Sequence, residues 1–306
     1  MKDFYEFIAE KEISSMRLDR FLADNLEDYS RSVIQNLIKE GNIKVNDKEI
    51  KANYIIKPLD HISVVIPEAR EIDIIPENIS LDILYEDDDI LIVNKPKGMV
   101  VHPSNGHESG TLVNAIMYHC KDNLSGINGE IRPGIVHRID MDTTGSLIIC
   151  KNDNAHRFIA EQIAVHSINR IYEGIVHGVI KEEEGTIETL IGRSPTDRKK
   201  MAVLRENGRE AITHFRVIRR FKDYTYCEFK LETGRTHQIR VHMSHINHPL
   251  VGDNVYGPKK CPFKLQGQTL HAKTIGFLHP RTHEYVEFTA PTPDYFVKLL
   301  QKLERN

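Results

Sequence analysis

Apolar residues recur at helical spacing twice near the start of the chain, first as Leu18, Phe21, Leu22 and Leu26, then as Val33, Ile34, Leu37 and Ile38. Positions three and four apart share one face of a helix, so these runs predict two short amphipathic helices. Ser30 is placed to cap the second helix and Gly41 to end it. The period then changes to two. Ile43-Lys44-Val45, a turn at Asn46-Asp47 and Lys48-Glu49-Ile50 predict a tight hairpin, and His61 to Ile66 predicts a strand that stops at Pro67. Residues 67–80 carry Pro67 and Pro76 among charges and read as a linker.

A second region follows. Ile83-Leu84-Tyr85 and Ile90 to Val93 flank the acidic turn Glu86 to Asp89, and the second run ends in Lys95-Pro96-Lys97-Gly98. Thr111 is placed to cap a helix that turns Leu112, Ala115 and Ile116 inward. The stretch from Gly134 to Lys151 places the ionisable groups His137, Arg138 and Asp140 directly before the apolar run Leu147 to Cys150. Such an order predicts a polar loop mounted on a buried strand, a good support for chemistry. Asn154 to Val165 reads as a helix, Arg170 to Ile180 as a strand, and Ile212 to Phe221 and Tyr224 to Leu231 as two alternating strands. Thr236 is placed to cap a helix whose inner face is Ile239, Met243 and Ile246; a strand near Tyr285 and a helix carrying Phe296, Leu299 and Leu303 close the chain. Hairpin-joined strands with interspersed helices predict an α+β fold whose sheet is mainly antiparallel.

A length of 306 residues suits two domains, and 40% apolar with 28% charged residues suits a soluble globular protein. No apolar run is long enough to cross a membrane, and the acidic N-terminus is unlike a secretion signal, so a cytoplasmic location is expected. Cys120, Cys150, Cys227 and Cys261 lie far apart without CxxC pairing, which favours reduced, packed thiols. A net charge of −3 gives no general affinity for polyanions, and residues 1–80 hold sixteen acids against eleven bases. Any nucleic-acid contact must therefore be local. Residues 193–220 supply nine bases against three acids, with Arg198, Lys199 and Lys200 adjacent, and form the clearest basic patch.

Three groups compete as chemistry. A lone Asp140 is by itself a turn residue or ion-pair partner. Gly234-Arg235-Thr236-His237-Gln238-Ile239-Arg240 sets guanidinium groups at a helix start, a natural place for an anion. His237, His242, His245 and His248 form a cluster, yet no HExxH or Cys/His pattern supports a metal. No phosphate-binding GxxxxGK[ST], dinucleotide GxGxxG or GxSxG elbow is present, so no cofactor is expected.

The quoted motifs carry two resemblances. RLDRFLADNLEDYSRSVIQNLIKEGNIKVND resembles the S4 RNA-binding domain, an α/β module, placed here over residues 14–75. In that family the second helix and the hairpin present basic side chains to RNA, which implies Arg17, Arg31, Lys39, Lys44 and Lys48. GIVHRIDMDTTGSLIICK, with LIVNKPKGMVVHP, RIYEGIVHG and ETGRTHQIRVHMSHINHPLVGD, resembles the RluA family of pseudouridine synthases in its RluD-like branch, over residues 76–306. Ile139, Met141 and Ser146 depart from the family pattern without removing a reactive group. The resemblance implies a catalytic domain with a mixed, mainly antiparallel sheet flanked by helices. It implies Asp140 as catalytic acid, Tyr172 as the tyrosine packed on the target base, and Arg235, ahead of Arg240, as the arginine paired with Asp140. His137, Arg138 and Arg240 are implied to shape the loop or contact RNA.

The implied reaction isomerises uridine in large-subunit (23S) ribosomal RNA by a monomeric, cofactor-free and metal-free enzyme that does not associate with membranes. A buried carboxylate, acting as nucleophile or as base, needs a neighbouring arginine to stay ionised. A glycosidase would require a second acid across the bond, and no motif supplies one. A non-catalytic ribosome-assembly factor of the same fold, or a tRNA-modifying enzyme, are the alternatives.

Overall fold

The protein is described by a computed structural model over residues 3–10, 16–26, 31–66, 74–103, 106–121, 123–127, 133–197 and 200–305. It divides into two compact units, Met1–Ile72 and Asp73–Asn306. Ser30, named above as a cap, lies outside the described residues.

The first unit contains β1 (Asp3–Ile8), α1 (Leu18–Asn25), α2 (Arg31–Lys39), β2 (Ile43–Val45), β3 (Lys48–Glu49) and β4 (His61–Ile66). Its antiparallel sheet runs β1-β4-β2-β3. Leu18, Leu22, Ile34 and Ile38 from the helices pack on Ile43, Val45, Ile62 and Val64 from the strands. The amides of Gly41 and Asn42 return to the carbonyls of Ile38 and Leu37, which closes α2. Asn46 and Asp47 both take positive φ, 49° and 64°, the twist a two-residue hairpin turn needs. β1 is absent from the sequence reading. It is an edge strand with Phe4 and Ile8 exposed, so it carries no clean alternation.

The second unit contains β5 (Ile83–Glu86), β6 (Ile90–Lys95), α3 (Leu112–Cys120), β7 (Thr144–Cys150), α4 (Asp153–Ala164), β8 (Asn169–His177) and β9 (Glu184–Arg193). It continues with β10 (Met201–Leu204), β11 (Arg209–Arg220), β12 (Tyr224–Leu231), α5 (Gln238–His245), β13 (Leu270–Leu278), β14 (Tyr285–Thr289) and α6 (Asp294–Glu304). The sheet order is β10-β9-β11-β12-β8-β13-β7-β6-β5, with β14 beside β13. Neighbouring strands are antiparallel except β13 and β7, which are parallel. The fold is α+β with a mainly antiparallel mixed sheet.

Strand alternation explains why β6 and β7 read as unbroken apolar runs. Leu91, Val93, Leu147 and Ile149 enter one core, shared with α3 and with Ile239 and Met243 of α5. Ile90, Ile92, Ile148 and Cys150 enter another, shared with Ala155 and Ile159 of α4. Gly145 opens β7 at φ 112°, and a Cβ there would stand 2.2 Å from the Ala272 carbonyl oxygen, so only glycine lets β13 approach. Among the described residues no helix is long and apolar enough to cross a membrane.

Candidate active site

The loop ahead of β7 carries Asp140, whose carbonyl accepts from the Thr143 amide at 3.0 Å in a tight turn. Its carboxylate is partly exposed, and Oδ2 accepts from Arg240 Nη1 at 3.0 Å. Arg240, in the first turn of α5, is itself buried. It donates from Nε to Asp253 Oδ2 at 2.7 Å and from Nη2 to Asp253 Oδ1 at 3.0 Å. Burial works against the arginine's charge, but the two carboxylates outweigh it and hold its pKa above the ordinary value. Burial likewise raises Asp253, and the paired guanidinium with the amides of Tyr256 and Val255 more than reverses this, leaving its carboxyl below the usual range.

This arrangement corrects the expected pairing: Arg240, not Arg235, meets Asp140. The reason is where α5 begins. His237, with φ 59°, lies at the helix N-cap and lacks a capping side-chain bond, so Thr236 is not the cap. Instead the Gln238 carboxamide oxygen accepts from the Arg235 amide at 2.9 Å. Arg235 therefore precedes the helix, and its Nε donates to the Glu210 carbonyl at 2.8 Å. His237 places Nε2 3.8 Å from Asp140 Oδ1, while its Nδ1 shares a 2.8 Å hydrogen bond with the Tyr256 hydroxyl.

Asp140 opens on a cavity of about 730 Å³. Tyr172 of β8 forms part of its wall, with Ile139, Leu231, Ile239 and Leu270 as apolar surface. Burial raises the Tyr172 pKa, Arg170 opposes that shift and Asp140 adds to it, so the phenol lies in the fields of both. Asp140 is the only acid among the lining residues, against Arg138, Arg170, Arg209, Arg235 and Arg240.

A buried lysine missed in sequence supports this loop. Lys95, at the end of β6, is 1% exposed. It donates from Nζ to the carbonyls of Pro96, Met99 and Met141 at 2.9, 2.8 and 2.9 Å. Burial pushes its pKa down to about 7, against the pull of Asp140 and Asp142. Lys97 donates to the Gln268 carbonyl at 3.0 Å and stands 4.0 Å over the Tyr295 ring. Burial raises the pKa of Asp142, the neighbouring carboxyl, against the pull of Lys97 and Lys95. A lysine at the end of a strand that opens with four buried apolar residues is the signal that identifies Lys95 in the sequence.

The other expected residues are dispersed. His137 accepts the Ile148 amide at 3.0 Å on Nε2, and burial with Arg170 nearby lowers its pKa to about 3. It braces β7 from the cavity wall. Arg138 is exposed at the cavity and reaches His102 at 3.4 Å. Arg240, also expected among the RNA contacts, lines the same cavity while held by its two carboxylates. In the first unit Arg17 and Arg31 both grip Asp19, with closest contacts of 2.9 and 3.1 Å. Asp19 is fully buried; burial raises its pKa, but bonds from Arg17, Gln35 and Arg31 bring it to about 2. Lys39, Lys44 and Lys48 are exposed, and Lys200 is half-buried in the β9–β10 turn. Arg198 and Lys199 lie outside the described residues. His242 is buried between Thr213 and Thr189, 2.9 Å from each hydroxyl, and so is a structural ring.

Residues 89–245 match the family described as RNA pseudouridylate synthase, and residues 16–62 match the S4 domain. The chain is 51% identical over 301 residues to a Bacillus subtilis (strain 168) protein named uncharacterized RNA pseudouridine synthase YlyB, covering 98% of each. It is 45% identical over 303 residues to the ribosomal large subunit pseudouridine synthase D of Zymomonas mobilis, covering 96% of this chain and 95% of that one. The solved human RNA pseudouridylate synthase domain containing 4 aligns with a TM-score of 0.58 at 22% identity, covering 72% of this chain and 92% of that chain, a likeness of fold.

Proposed function

The chain belongs to the RNA pseudouridylate synthase family and carries an S4 domain, and from that premise we propose that it isomerises uridines of large-subunit ribosomal RNA with Asp140 as the reactive carboxylate. The observation that carries the site assignment is the Arg240–Asp140 contact of 3.0 Å at the cavity that Tyr172 walls. The substrate assignment rests on relatives named ribosomal large subunit pseudouridine synthase D, at 45% identity in Zymomonas mobilis and 43% in Neisseria meningitidis serogroup A.

A uridine within folded RNA must leave its stack to enter such a cavity, at a cost of a few kcal/mol. Stacking on an aromatic ring returns on the order of 1–3 kcal/mol, the part given to Tyr172. The N1–C1′ bond then breaks, the base turns, C5 bonds to C1′, and the C5 proton leaves while N1 takes one up. Atoms and charge balance with no oxidant and no added water. Oδ2 of Asp140 is held by Arg240, so Oδ1 is the oxygen available to attack or to take a proton. On the first unit, the exposed Lys39, Lys44 and Lys48 are the proposed backbone contacts.

The test has two arms. Tritium release from RNA labelled at uridine C5 measures turnover, and Asp140→Asn is expected to abolish it while RNA still binds; near-wild-type release sinks the role of Asp140. Pseudouridine mapping in a deletion strain should lose sites from large-subunit rRNA. Loss from tRNA alone overturns the substrate.

A further inference from the structure

We propose that Arg170 and Arg235 form a second subsite in the cavity, one that binds the RNA phosphodiester flanking the target uridine. This rests on the reading of the protein as an RNA-modifying enzyme. Arg170 is 7% exposed. Its Nη2 donates to the Glu232 carbonyl at 2.6 Å, its Nε has no hydrogen-bond partner, and no ion pair joins it to a carboxylate among the described residues. A guanidinium removed from water without a counter-charge is costly. Arg240 in the same cavity wall shows the contrast, since two carboxylates satisfy it.

Arg235 worsens the imbalance. It is half-buried, and its field adds to burial in lowering the pKa of Arg170. Its Nε is used by the Glu210 carbonyl, and it too has no carboxylate partner among the described residues. Two like charges are thus held on one wall, and an anion between them relieves both. Gly234 makes room: a Cβ there would lie 2.8 Å from Arg170 Nη1. In RNA the anion is the phosphodiester, whose two free oxygens suit a guanidinium fork. Tyr172 lines the same cavity as Arg170, Arg235 and Asp140. A nucleotide stacked on Tyr172 has its ribose toward Asp140 and its phosphate toward Arg170.

The experiment uses the full chain and an RNA containing a mapped target uridine. One flanking linkage at a time, 5′ or 3′, is replaced by an uncharged methylphosphonate. One replacement should raise KM about tenfold for the wild type, and Arg170→Gln should raise KM for unmodified RNA similarly, with little further loss when combined with that replacement. The salt slope of log KM should fall by roughly 0.7–0.9, the release of about one phosphate contact. Arg235→Gln, at a half-exposed position, gives the same readout if Arg170→Gln folds poorly. The subsite is overturned if both variants leave KM and slope unchanged, or if their losses and those of the methylphosphonates simply multiply. Wild-type turnover in the same assay reports separately on the reading beneath it.

Discussion

Arg240 clasps Asp253 through Nε and Nη2, at 2.7 and 3.0 Å, which leaves Nη1 for Asp140. The guanidinium plane is thereby set by a residue that does not face the reaction. Removing that anchor tests the arrangement. Asp253→Asn should lower kcat by about 10- to 100-fold, because a group displaced by about 1 Å loses that much. It should also lower stability by roughly 3–5 kcal/mol, the cost of breaking a buried ion pair. Denaturant titration and tritium release read the two effects. Unchanged kcat in a folded variant would show that Asp253 does not position Arg240.

Arg240→Lys and Arg235→Lys should separate the two arginines. An ammonium has no fork to hold two carboxylates at once, so Arg240→Lys should reduce kcat by about 100-fold. Arg235→Lys keeps a positive charge near the phosphate subsite and should act mainly on KM. Steady-state kinetics decides, and an equal loss of kcat in both would sink the assignment of Arg240 as the partner of Asp140.

Lys95→Met retains much of the side-chain volume but strips donors from three carbonyls, including that of Met141 beside Asp140. Each unsatisfied buried acceptor costs about 1–3 kcal/mol, offset in part because no ammonium need be buried. The variant should melt lower, and amides near Met141 should exchange hydrogen faster. Wild-type protection there would show that Lys95 does not brace the loop.

Acid should destabilise the fold before carboxylates titrate. Burial lowers the pKa of His242 and His271 to about 4 and that of His137 to about 3. An unfolded histidine titrates near 6.5, so between these values the unfolded chain binds more protons. Stability therefore rises with pH across this window and falls as pH drops from about 6.5 toward 4, by at most about 1.4 kcal/mol per pH unit per ring. Denaturant midpoints at pH 7, 6 and 5 should fall in order, and His271→Asn should flatten the slope. A flat wild-type profile from pH 6.5 to 5 contradicts this.

What the order of residues determined by itself was local or repetitive. The apolar runs of β6 and β7 follow from burial on both sheet faces, and the Asn46-Asp47 hairpin from residues that tolerate positive φ. Recognition of the motif around Asp140 likewise needs only contiguous residues. Edge strands β1 and β10 escaped because edge positions need no clean alternation, and the interior strands β9 and β13 escaped as well. Tertiary structure alone decided which arginine meets Asp140. Arg235 and Arg240 are five residues apart, and the choice depends on a left-handed His237 that delays the helix and on Asp253 arriving from a later loop. The burial of Lys95 was decided the same way, since its three acceptors include a carbonyl 46 residues away. Contacts of that kind are set by packing between elements, which no local pattern encodes.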